Sequence, residues 1–370
     1  MMTPAAKRTA ERVIGVVALL LAALGPLIFS DYWVSFILTQ AFLMGIAAAS
    51  LIFLSAYGGM VSLAQGSLAG VAGFALGNMV TRAESKGLNL GWDPWLSVLL
   101  AILITVAIGL LFGALASRST GIYFLMITLT LGVLVYYFFG QVTEVSGFSG
   151  ISGIARYAPD LVGGGTDPDR LYYTALIVAA LVYVLIRFIL RTPFGYALQG
   201  VRDDPVRMAS LGYNVTLHRT LAFGLGAFIA ALSGVLYVWW NGQIDPASIN
   251  LQNTVDLLII AVIGGLARIE GAWLGALAFI VINNYVRDVS VPILGGSFNT
   301  VIGFIFLAIV LVSPDGLMGI WERVTTGRRR PAFGATVEPA AATSGGTERG
   351  TSGQVAGHGT TEPPEEGGGK

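Results

Sequence analysis

Residues 95–117 read WLSVLLAILITVAIGLLFGALAS, from Trp95 to Ser117, without one charged side chain. At about 1.5 Å of rise per residue this run is long enough to cross a hydrocarbon core of about 30 Å as a helix. A helix with one face in water would carry polar residues at helical spacing, and here only Ser97 and Thr105 are polar before the terminal serine. Uncharged runs recur at 121–140, 220–240 and 298–313. The chain of 370 residues is 55% hydrophobic and 11% charged, with a mean hydropathy of +0.75. Soluble domains are about a quarter charged, so this composition points to an integral membrane protein.

Hydropathy predicts ten spans: 13–29, 34–57, 60–80, 95–117, 121–140, 171–190, 219–240, 254–266, 272–286 and 298–313. The first follows Lys7, Arg8 and Arg12 and reads as a transmembrane helix rather than a signal peptide, because nine more spans follow it. Lys and Arg fall mostly in alternate loops, with Arg118, Arg191, Arg202, Arg207, Arg219, Arg268, Arg323 and Arg328–Arg330 on the side of the N-terminus. By the positive-inside rule both termini are then expected in the cytoplasm. The expected organisation is a cytoplasmic N-terminus (1–12), a transmembrane domain (13–327) with a cytoplasmic loop at 191–218, and a tail (328–370). The tail is rich in Gly, Thr, Pro and Glu and is expected to be a disordered cytoplasmic segment.

The absence of cysteine excludes disulfides and thiolate chemistry, and two distant histidines, His218 and His358, make no catalytic or metal constellation. No Gly-x4-Gly-Lys-Ser/Thr phosphate loop is present, so ATP hydrolysis is not expected on this chain. Few ionisable residues lie in the spans. Arg187 and Asp256 sit near span ends, which argues against an ion-driven pump. The expectation is a carrier of a small polar solute, not an enzyme.

Four segments could carry that function. Tyr57-Gly58-Gly59-Met60-Val61-Ser62-Leu63-Ala64-Gln65-Gly66 interrupts an apolar stretch with a Gly-Gly pair. Non-helical backbone at membrane depth needs protein or a watery cavity beside it, so Gly58, Gly59, Ser62 and Gln65 are candidates for the translocation path. The other reading is a turn followed by a Gly-rich packing helix, since Gly66-x3-Gly70 and Gly73-x3-Gly77 let helices approach closely. A similar phrase, Gly264-Gly265 followed by Glu270-Gly271, hints at an internal repeat, or matches by chance. In the loop at 191–218, Asp204 before Pro205 is a good helix start and Gly212 a good stop, which predicts a short helix over 205–211. Val206, Met208 and Leu211 would be its apolar anchors inside a charged rim. The Gly-rich loop 141–170 reads either as functional or as a flexible connector.

The ordered motifs Tyr57–Leu63, Gly121-Ile122-Tyr123-Phe124, Thr143 with Gly147–Gly153, Pro193-Phe194-Gly195, 202–214, Asp245-Pro246, Gly264-Gly265 and Ser313-Pro314-Asp315-Gly316-Leu317 span residues 34–320. In these the chain resembles the membrane permease subunits of branched-chain amino-acid ABC importers, the LivM/LivH type and LivM in particular. The resemblance implies an all-α, type II importer-like permease in the bacterial inner membrane. It implies no cofactor on this chain, with ATP and Mg held by two partner ABC ATPases. Further implied partners are a second related permease, an extracytoplasmic solute-binding protein and membrane lipid; nucleic acid is not among them. It implies that Arg202, Asp203, Asp204, Arg207, Met208, Leu211 and Gly212 form the element that docks on an ATPase. Three departures are plain: Ala209-Ser210 come late in that element, 146–153 lacks an acidic residue, and Leu68-Ala69-Gly70 replaces aromatic residues. They leave branched-chain amino acids and urea or short amides both open as solutes, beside a stand-alone channel.

Overall fold

A computed structural model describes residues 32–82, 87–163 and 167–294, with scattered positions in 22–30 and 303–319. Side chains on the last helix are described to Tyr285. Among the described residues, a single helical turn at Gly25–Ile28 is followed by ten helices: α1 (Trp33–Gly58, opened by π-helical turns over Trp33–Leu38), α2 (Gln65–Val80), α3 (Pro94–Ala116), α4 (Ile122–Gln141), α5 (Pro168–Ile189), α6 (Pro193–Asp203), α7 (Pro205–Ser210), α8 (Val215–Asn241), α9 (Leu251–Gly264) and α10 (Gly271–Leu294). Two short strands, β1 (Ile151–Ser152) and β2 (Gln243–Ile244), pair antiparallel, with Ile151 opposite Ile244 and Ser152 opposite Gln243.

Local chemistry sets several of these boundaries. Asp93 caps α3 by accepting from the Trp95 N–H at 2.9 Å, with Pro94 in the first turn, where its missing N–H costs nothing. Asn214 starts α8 in the same way, accepting from the Leu217 N–H at 3.0 Å. Gly242 ends α8 in the left-handed region at φ +71°.

Among the described residues, five helices are long and apolar enough to cross a membrane: α1, α3, α4, α5 and α8. This corrects the expectation of about ten transmembrane helices. Hydropathy counts apolar residues whether or not the backbone is helical over the whole window. The window 60–80 contains the non-helical residues 60–64, so α2 has 16 residues and rises about 24 Å, short of a bilayer core. The window 254–266 gives α9, of 14 residues, and 272–286 falls in α10, whose described apolar part is Gly271–Tyr285. The windows 13–29 and 298–313, and the tail 328–370, lie outside the described residues apart from scattered positions. Both termini on the cytoplasmic side followed from ten crossings, and that inference goes with them.

The centre of the fold is α8. It packs against α3, α2 and α1, and α10 packs on α1. The burial of the membrane-length helices follows this plan: 78% of the apolar window of α1 and 72% of that of α8 are buried, against 28% for α3 and for α4. The outer helices therefore turn apolar surface to their surroundings, as lipid-facing helices do. Small residues make the central contacts. A Cβ built on Gly234 of α8 would lie 1.9 Å from the Ala69 carbonyl oxygen of α2, so these two backbones touch.

Candidate functional site

Between α1, α2, α8, α9 and α10 lies a cavity of about 390 Å³. Its polar lining comes from chain segments far apart in sequence: Gln40, Asn253, Asp256, Asn283 and Asn284, with the hydroxyls of Ser233, Tyr237 and Ser248. Gly66 and Gly70 of α2 form part of its wall. The segment 243–249 forms one end. There Asp245 accepts from the Ser248 N–H and Oγ at 2.9 Å each, which fixes the turn. The Gly-rich loop is folded onto this segment rather than free: β1 pairs with β2, and a Cβ on Gly150 would lie 2.4 Å from the Ile244 carbonyl oxygen.

Some lining groups are satisfied within the protein. Asn253 Nδ2 donates to the Ala247 carbonyl at 3.0 Å, Asn284 Nδ2 to the Ile280 carbonyl at 3.1 Å, and Gln252 Nε2 to Asp256 Oδ1 at 3.0 Å. The side-chain amides of Gln40 and Asn283 make no hydrogen bond among the described residues. Asp256 is the one charged residue among the described lining.

Gly58, Gly59, Ser62 and Gln65, expected on the path, are not among the cavity's lining residues. Gly58 ends α1, and Gly59 turns the chain at φ +65°, a conformation that glycine adopts without a Cβ penalty. Ser62 is buried, and its Oγ accepts from the Ala64 N–H at 3.2 Å. The preceding N–H, that of Leu63, donates to Thr128 Oγ1 of α4 at 3.2 Å. Gln65 is fully buried beside Leu54 and Gly226, and neither end of its amide has a partner among the described residues. The break is thus packed in protein, and none of these four residues lines the cavity. The glycines of α2 serve packing as well: Gly70 receives Ile249, and Gly73 receives Ile244 and Val238.

The two Gly-Gly phrases share a geometry. Helix α1 ends at Gly58 and α2 begins at Gln65; α9 ends at Gly264 and α10 begins at Gly271, seven positions on in each case. The second glycine has a positive φ in both, +65° at Gly59 and +104° at Gly265. A second anchor sits beside the later turn. Glu270 pairs with Arg187 at the end of α5 and accepts from the Tyr183 hydroxyl at 3.0 Å.

In the 191–218 loop, Asp204 caps α7 by accepting from the Arg207 N–H at 2.9 Å, and Gly212 has φ +89°. Helix α7 buries none of its residues. Val206 is 78% and Leu211 65% exposed, and Asp203, Asp204 and Arg207 are exposed beside them. Met208 differs from the expectation of an outward anchor: its sulfur lies over Gly200 of α6, 2.8 Å from where a Cβ would be. Arg202 is half-buried. It pairs with Asp203 at 2.7 Å, lies across Gly59 and donates to the Ala56 carbonyl of α1. Arg202 thus joins the two segments that the sequence singled out separately.

Residues 33–312 match the family described as branched-chain amino acid transport system / permease component. The chain belongs to this family. The permease LivM of the high-affinity branched-chain amino acid transport system of Salmonella typhimurium is 29% identical over 256 residues, 62% of this chain and 58% of LivM. Its counterpart in Escherichia coli is 28% identical over the same shares. The chain thus spans 58% of the length of these LivM relatives. The fructose import permease FrcC of Rhizobium meliloti is 26% identical over 69% of this chain and 70% of FrcC. No solved structure matches. The chain thus belongs to a family of permeases rather than of enzymes, and five of its described helices are long and apolar enough to cross a membrane.

Proposed function

We propose that this permease is a subunit of an ATP-driven ABC importer and forms half of the path for branched-chain amino acids (Leu, Ile, Val) or related amino acids. The observation that carries the reading is the polar cavity of about 390 Å³ among apolar helices. Its size lies in the usual range of small-molecule sites, about 300–1,000 Å³. Family membership and the names of the LivM relatives support the solute class. The path residues of this proposal are the cavity lining together with Gly58, Gly59, Ser62 and Gln65 of the packed break between α1 and α2. The chain carries no phosphate loop, so the energy comes from two partner ATPases that dock on the exposed face of α7 and its charged rim. A second permease and a solute-binding protein complete the assembly.

Co-expression with the cognate ATPases, the second permease and the binding protein, followed by reconstitution into liposomes, tests the reading. Labelled leucine should enter only with ATP on the ATPase side. Leucine entry at equal rates without ATP would replace the importer with a facilitator. ATP-driven entry of urea without leucine would move the solute class.

A further inference from the structure

We infer that Asp256 is the specificity-determining residue of the cavity and holds the protonated amine of the solute, so that the site takes ammonium-bearing solutes in preference to neutral polyols and anions. The inference rests on the cavity being the solute path. Asp256 is half-buried on α9, and no Lys or Arg lies among the described lining residues. Its one described partner is the Gln252 amide at 3.0 Å, a dipole that orients the carboxylate without neutralising it. A half-buried carboxylate with no Lys or Arg among the described lining favours a cation beside it, and an ammonium-bearing solute supplies one.

The other polar groups fit the same ligand. Gln40 on α1 and Asn283 on α10 contribute amides with no hydrogen bond among the described residues, and each offers both donors and an acceptor. A solute with an ammonium at one end and a second polar group at the other can use Asp256 and an amide together. A neutral polyol gains only hydrogen bonds there, and an anion meets a like charge. This separates the chain from a sugar carrier on its own residues, although a permease named for fructose import is among its relatives.

The chain has no cysteine, so one introduced thiol reports on the cavity alone. Asn283→Cys in the full-length protein should react about tenfold faster with a cationic than with an anionic methanethiosulfonate of similar size, the effect of one nearby charge in a partly desolvated site. Asp256→Asn should remove that preference, and Asp256→Glu should keep it. Isopentylamine should protect the thiol, whereas 4-methylpentanoate and fructose should not. Equal rates for both reagents, a preference that survives Asp256→Asn, or better protection by fructose than by the amine would each overturn the inference. This readout needs no transport. In the reconstituted importer, ATP-driven uptake of fructose but not of leucine would sink the amine assignment while the permease reading stands. ATP-independent flux with intact labelling preference would sink the importer reading alone.

Discussion

Arg202 donates to the carbonyl of Ala56, and in reaching it the side chain lies across Gly59. The end of α6 is thereby fastened to the end of α1, and the next element along the chain is the exposed helix α7. A Cβ on Gly59 would stand 2.6 Å from Arg202 Cγ, on a backbone at φ +65°. Gly59→Ala should therefore cost about 1–2 kcal/mol for its left-handed conformation, plus the contact with Arg202. In an Arg202→Ala background the contact is gone and the cost should fall toward the conformational part. Thermal unfolding of the four proteins in one detergent gives the comparison. Equal costs in both backgrounds would show that Arg202 does not press on Gly59.

The docking face proposed for α7 consists of Val206 and Leu211, since Met208 is turned onto Gly200. Changing Val206 and Leu211 together to Asp should abolish ATPase co-purification, because an interface would have to bury two unpaired charges. The midpoint of unfolding should not move, because α7 buries nothing. Met208→Asp should do the reverse, loosening α7 from α6 first. Full ATPase retention by the double variant would move the docking site to the 265–270 turn.

The contact between α2 and α8 leaves no room for a side chain. Gly234→Val places its Cβ 1.9 Å from a backbone oxygen, which no rotamer change relieves. Overpacking of this kind costs about 1–3 kcal/mol, and here the upper part of that range is expected, since two backbones must separate. The neighbouring Ser233→Ala loses one hydrogen bond, to the Leu43 carbonyl at 2.8 Å, and should cost about 1 kcal/mol. Similar unfolding midpoints for the two variants would contradict the backbone contact.

The Arg187–Glu270 pair links α5 to the turn between α9 and α10, with side chains 45% and 31% exposed. Solvent screening at that exposure keeps the coupling at about 1 kcal/mol or less. A double-mutant cycle with Arg187→Ala and Glu270→Ala should return that value at low salt and a smaller one at 0.5 M salt. No coupling at low salt would make the pair incidental.

The membrane class was legible from runs such as 95–117, because a helix that must satisfy its own backbone in lipid leaves a continuous apolar record. The number of crossings was not. Residues 60–64 are as apolar as the helix they precede, and only the structure shows that they are packed against Thr128 instead of coiled. Asp204, Pro205 and Gly212 marked α7 correctly, because capping is a local matter settled within four residues. The cavity was the opposite case. The sequence singled out Asp256 only as an ionisable residue near a span end and Gln40, Asn283 and Asn284 not at all, and only the packing of α1, α9 and α10 brings them together. Asn283-Asn284 inside an apolar window was the one signal that pointed there.

The pair of strands that ties the Gly-rich loop to the cavity wall also sets an order of assembly. Ile151 and Ile244 are 93 positions apart, and α5 to α8 lie between them. At about 5–20 residues per second of synthesis, the first strand waits on the order of five to twenty seconds for its partner. Through that interval helices α1 to α4 are already made, while the end of the cavity formed by 243–249 does not yet exist. The cavity is therefore completed late in synthesis, and a chain stalled before α8 would have its first helices without the chamber they are to enclose.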